Sequence, residues 1–170
     1  MADIHRPIFP IAQRQGTHHC WAAVTAMMLG RRGAHQAVID QVIAEARGRG
    51  VPVDSSGGLS ESGGPALARA FGFTYVDLRG RGPDFFPDGN FFAGFLRTAP
   101  FGLFGVRPGY GLHAIAIYRL AGDFSSLSDT HAHGIDPMGG GHHFEIVLFK
   151  LVMPNQQNHA QMQGNFVLYR

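Results

Sequence analysis

Residues 13–30 constrain this chain more than any other stretch. A polar segment, Gln13-Arg14-Gln15-Gly16-Thr17-His18-His19, runs without a break into Cys20-Trp21-Ala22-Ala23-Val24-Thr25-Ala26-Met27-Met28-Leu29, and Gly30 follows. Ala, Met and Leu are strong helix formers and glycine is a natural stop, so the spacing predicts a helix over 20–29. With so few polar positions, that helix must be mostly buried. Its first residue is the only cysteine of the chain. A thiol at a helix start feels the positive end of the macrodipole, which favours the nucleophilic thiolate.

The remaining pattern predicts helices first and strands second. Pro7 and Pro10 keep residues 1–19 extended or looped. Residues 34–46 read as a second helix, with Val38, Ile39, Val42 and Ile43 on one face. Residues 47–58 read as loop, and a short third helix runs from 62 or 63 to 71, with Pro65 near its first turn. Residues 73–78 alternate as a strand, 79–89 are turn-rich, and 90–98 form a short helix. Further strands are expected at 101–106, 113–120, 131–136, 143–151 and 166–170. The block 143–151 also reads as helix, because its apolar residues are nearly continuous. The fold class is therefore α+β. A length of 170 residues suits a single domain over 1–170.

Composition excludes several classes. A formal charge of +2 comes from scattered residues, so there is no basic stripe and no nucleic-acid partner is expected. One cysteine forbids an internal disulfide framework. No apolar run reaches membrane-spanning length. Residues 1–12 lack a basic start followed by an apolar core, so synthesis in the cytoplasm is expected, with export only by a route that needs no cleaved signal. Gly-x-Ser-x-Gly is absent, and the single Lys150 follows Phe149, which leaves neither a serine hydrolase elbow nor a phosphate-binding loop.

A nucleophilic cysteine needs a base within reach, and the base needs a group that holds its tautomer. Ten histidines compete for the role of base. His113 has the best setting: it follows Pro108-Gly109-Tyr110-Gly111-Leu112 and opens the apolar strand Ala114-Ile115-Ala116-Ile117. The plainer reading is a strand-edge histidine with a local hydrogen bond. Asp136, which ends one strand before Pro137, is the natural orienter, although Asp before Pro-x-Gly-Gly is also an ordinary turn former. Gln13 and Gln15 precede the cysteine, and either amide can aim at a developing oxyanion beside the Cys20 backbone N–H.

Together these residues resemble the papain-like cysteine peptidases, and most of all their compact bacterial branches, the C39-like peptidases and the C70-type effector proteases. The matching pieces are Gln followed by Cys20-Trp21-Ala22-Ala23, then Gly111-Leu112-His113-Ala114, then Ile135-Asp136-Pro137. They appear in the family's order and span residues 13 to about 141. The resemblance implies an N-terminal helical lobe packed on a C-terminal antiparallel sheet, with the active-site cleft between. It implies Cys20 as nucleophile, His113 as base and then acid, and Asp136 as orienter. The family's oxyanion glutamine usually lies six residues before the cysteine, where this chain has Arg14, so one of Gln13 and Gln15 takes that role. No cofactor is implied. The expected activity is cleavage of a peptide or amide bond through a thioester. The expected partners are a protein or peptide substrate and, for an exported bacterial effector or toxin, an immunity or inhibitor protein.

The same machinery also serves deamidases, transglutaminases and cell-wall amidases. A catalytically silent binding module is a further alternative. His18-His19, His131-x-His133 and His142-His143 raise a metal site as a rival, but no His-Glu-x-x-His pattern or cysteine cluster accompanies them, and the residues read as surface histidines. Phe85-Phe86 and Phe91-Phe92 read as core packing or, alternatively, as the lining of a substrate groove.

Overall fold

The computed structural model describes residues 1–79, 87–153 and 162–170. Among these residues, five α-helices, α1 (Cys20–Met28), α2 (His35–Gly48), α3 (Gly64–Phe71), α4 (Gly89–Ala93) and α5 (Leu148–Val152), combine with seven strands. The strands are β1 (Ala2–His5), β2 (Thr74–Asp77), β3 (Phe101–Arg107), β4 (Gly111–Gly122), β5 (Thr130–Asp136), β6 (His142–Val147) and β7 (Phe166–Tyr169). They form one antiparallel sheet in the order β2-β7-β3-β4-β5-β6. The fold is therefore α+β.

Strand β4 organises the sheet. Its alternation is real: Ala114 and Ala116 lie in one core cluster, while Ile115 and Ile117 lie in another. The first cluster holds α1 together with the inner faces of α2 and α3. All nine residues of α1 are buried, and the small alanines of β4 belong to the same cluster, as close approach to the sheet requires. Phe104 and Phe166 stack beneath it with centroids 4.8 Å apart. The second cluster lies on the opposite side of the sheet under α4 and α5.

Two expectations need correction. The chain does not divide cleanly into helices first and strands second. Strand β4 outruns β3, which pairs with it only as far as Ile117, and the N-terminal β1 pairs with the remaining edge, from Ala2↔Gly122 to His5↔Arg119. The segment read as either strand or helix at 143–151 is both. His143, Phe144, Glu145 and Ile146 alternate as β6, and then Leu148, Leu151 and Val152, at helical spacing, bury one face of α5. Phe91 and Phe92 pack in the second core, as the simpler reading expects, and Phe91 meets Phe95 edge to face at 5.0 Å. Phe85 and Phe86 lie outside the described residues. No helix among the described residues is long and apolar enough to cross a membrane.

Candidate active site

Helix α1 begins at Cys20 itself, with His19 as its cap residue. The helix end is pinned twice. The indole Nε1 of Trp21 donates to the Gly57 carbonyl at 2.9 Å, which ties α1 to the loop after α2. That loop is held in turn by Asp54, whose Oδ1 accepts from the backbone N–H groups of Ser56 and Gly58 at 2.8 and 2.9 Å. The Cys20 thiol is wholly buried and donates to the Leu112 carbonyl at 3.5 Å. Leu112 immediately precedes His113, so this contact sets the start of α1 against the start of β4.

His113 is also wholly buried. Its Nε2–H donates to the Asp136 carboxylate, whose two oxygens both stand 3.2 Å away. Sheet register explains the meeting. Ala116 pairs with Ile135, which sets Asp136 two residues along from His113 and on the same face. The other ring nitrogen, Nδ1, is buried and closes no hydrogen bond of normal geometry. Burial alone pushes the His113 pKa down, but the Asp136 carboxylate and the Cys20 sulfur outweigh it, and the ring is pushed up to about 9.

The two glutamines separate. Gln13 is buried and Gln15 is exposed. The Gln13 side-chain NH₂ donates to the Thr17 carbonyl at 2.8 Å and to the Tyr110 hydroxyl at 3.1 Å. The structure thus brings Cys20, His113, Asp136 and Gln13 together and leaves Gln15 outside.

Sequence reasoning missed Tyr110. Its hydroxyl lies 2.8 Å from the Thr17 carbonyl, to which it donates, and 3.8 Å from the Cys20 sulfur. Its ring stacks on His18 at 4.7 Å and meets His113 edge-on at 5.8 Å. Burial, and then the Cys20 charge, push the Tyr110 pKa up, which keeps the phenol protonated and able to donate. The available signal was an aromatic residue between two glycines, immediately ahead of the histidine. Gly109 and Gly111 have φ of 76° and 104°, conformations that glycine adopts freely and other residues resist.

Three of the other described histidines have partners of their own. His131 faces Glu145 at 3.0 Å, His143 meets the Tyr118 hydroxyl at 3.2 Å, and His19 contacts the Ser56 carbonyl at 3.2 Å. Among the described residues no three His, Cys, Asp or Glu side chains group so as to hold a metal ion. His133 shares β5 with Asp136, but strand alternation turns it to the opposite face.

Neither the family models nor the curated proteins compared with this chain match it. The functional reading therefore rests on the residues themselves.

Proposed function

We propose that this chain is a papain-like cysteine hydrolase that cleaves a peptide or amide bond through a Cys20 thioester. The observation that carries the reading is a buried histidine set between a carboxylate and the lone thiol: His113 Nε2 lies 3.2 Å from Asp136, its Nδ1 is buried without a hydrogen-bond partner, and Cys20, bonded to the adjoining Leu112 carbonyl, helps to raise the ring's pKa. A buried imidazole–carboxylate pair without a chemical task would be costly, because each buried ionised group loses its hydration. The order Gln, Cys, His, Asp along the chain supports the papain-like assignment.

The chemistry follows from the atoms in place. Asp136 holds the proton on Nε2, which leaves the unpartnered Nδ1 free to take the thiol proton. The Cys20 thiolate attacks the carbonyl carbon, and the carbonyl π pair moves onto oxygen. That oxyanion is met by the Cys20 backbone N–H and by the Gln13 amide. The C–N bond breaks, and the departing amine takes its proton from Nδ1. Water, deprotonated by the same nitrogen, then attacks the thioester and releases the acid and the thiol.

Wild-type protein and Cys20→Ala, each mixed with a complex proteome, provide the test. New chain termini that need Cys20 identify a protease. New Cys20-dependent glutamates in place of glutamines identify a deamidase with the same machinery. Identical proteomes across a broad range of peptide and amide substrates overturn the hydrolase reading.

A further inference from the structure

A competent hydrolase must admit its substrate to the sulfur, yet Cys20 has no exposed surface. The Tyr110 hydroxyl is what stands there. It lies 3.1 Å from the Gln13 amide nitrogen and 3.8 Å from the Cys20 sulfur. Oxyanion donors typically stand about 2.7–3.1 Å from the oxygen that they stabilise. The phenol oxygen therefore takes the place beside Gln13 and Cys20 that a substrate carbonyl oxygen would need. Both hydrogens of the Gln13 amide are engaged, one by Thr17 and one by Tyr110. Resting on the hydrolase reading above, we propose that Tyr110 is a gate over Cys20, and that an extended polypeptide opens it by replacing the phenol oxygen with its own carbonyl oxygen.

The surroundings fit a gate rather than a fixed wall. Tyr110 sits at the tip of the β3–β4 turn, where its N–H donates to the Arg107 carbonyl at 3.0 Å. The flanking Gly109 and Gly111 have open space where a side chain would begin, so neither is pinned by packing. Two cavities reach this turn. One, of about 410 Å³, touches Tyr110 and is lined by His18, Leu59, Val106 and Leu112. The other, of about 660 Å³, touches Arg107 and is lined by Asp136, His142, Phe144 and Glu145. The first borders Leu112, whose carbonyl accepts from Cys20, and the second borders Asp136, which holds His113, so open space adjoins the partners of both residues. Open space beside each of them suits a chain that continues on both sides of the scissile bond. It does not suit a small terminal amide.

The test uses the intact protein and a small thiol reagent, so that no substrate need be known. Iodoacetamide alkylation of Cys20 is followed by mass in wild type, Tyr110→Ala, Tyr110→Phe and His18→Ala, with Cys20→Ala as the blank. Removing the ring deletes its hydrogen bonds and raises the open fraction, so Tyr110→Ala alkylates about tenfold faster or more. Tyr110→Phe falls between it and wild type. His18 is exposed, so His18→Ala is safe for the fold, and loss of its stacking alone speeds alkylation about two- to tenfold. Wild-type rates in both Tyr110→Ala and His18→Ala overturn the gate, and if Tyr110→Ala fails to fold, an unchanged rate in His18→Ala does so alone. The pH profile keeps the two readings apart. Fast alkylation of the opened protein only above about pH 8.5, as for an ordinary thiol, overturns the hydrolase reading while leaving the gate in place. Thiolate-like alkylation at lower pH without any effect of Tyr110 or His18 does the reverse.

Discussion

The backbone N–H of Gln13 donates to the carbonyl of Pro137 at 3.0 Å. Pro137 follows Asp136 directly, so one turn serves both ends of the site. On one side the Asp136 carboxylate holds the His113 ring, and on the other the Pro137 carbonyl holds the loop that carries Gln13. The turn is itself braced, because Asp136 Oδ1 accepts from the Met138 N–H at 3.0 Å. Residues 13 and 136 are far apart in sequence, yet they share a single piece of backbone geometry.

The first prediction concerns the glutamines. Loss of one oxyanion donor typically costs about 10²–10³ in turnover. Gln13→Ala loses activity on that scale, and the exposed Gln15→Ala stays near wild type. Steady-state kinetics on any substrate found in the proteome comparison reads the difference. Equal, small losses would remove the side-chain donor from the mechanism.

Asp136 accepts two different hydrogen bonds, from His113 Nε2–H and from Met138 N–H. Asparagine keeps one oxygen that can accept but lacks the negative charge and sets an NH₂ where the second oxygen stood. Asp136→Asn therefore keeps measurable activity but falls roughly tenfold, while Asp136→Ala frees the ring to take the wrong tautomer and falls roughly 10²-fold or more. Parallel His133→Ala and His131→Ala variants stay active. Full loss in His133→Ala with an active His113→Ala would transfer the role of base to His133.

The pH dependence follows from His113. Its folded pKa is pushed up to about 9, above the ordinary value of 6.5. The folded state therefore holds this proton more tightly than the unfolded chain. The stabilisation is fully present below about pH 6.5 and is lost as the pH rises through about 9. The melting temperature falls across that window, and it falls less in Cys20→Ala, which lacks the sulfur charge. NMR titration of the His113 ring checks the cause directly: its pKa drops in both Cys20→Ala and Asp136→Asn.

Gly105 pairs with His113 across β3 and β4. A methyl group on Gly105 would strike the backbone carbonyl oxygen of Gln163, which cannot move aside as a flexible side chain can. Gly105→Ala therefore destabilises the sheet beneath His113 by about 1–3 kcal/mol, the usual cost of overpacking. Chemical denaturation measures it. A wild-type midpoint would mean that the Gln163 segment yields without cost.

Much of the secondary structure was legible because it is written locally. The apolar run from Cys20 to Met28, the face Val38, Ile39, Val42 and Ile43, and the alternation of β4 each impose a period that only one kind of element satisfies. The same local cues singled out Cys20, His113 and Asp136: a helix start, a glycine-rich approach to a strand, and a turn after one. They left Gln13 and Gln15 equivalent, because two polar loop residues differ only in what later covers them.

What the tertiary structure decided is what depends on pairings between distant segments. Burial under the Pro137 turn chose Gln13 over Gln15, and sheet register turned Asp136 toward His113 while turning His133 away. The pairing of β1 with the far end of β4 has no local signature, since Ala2–His5 is too short and too polar to announce a strand. Tyr110 gained its place over Cys20 only when the β3–β4 turn folded against Thr17 and His18. Residue periodicity determines which elements form, because backbone geometry repeats within a few residues. Contacts among side chains from separate elements follow from register and packing, which no short stretch of sequence contains.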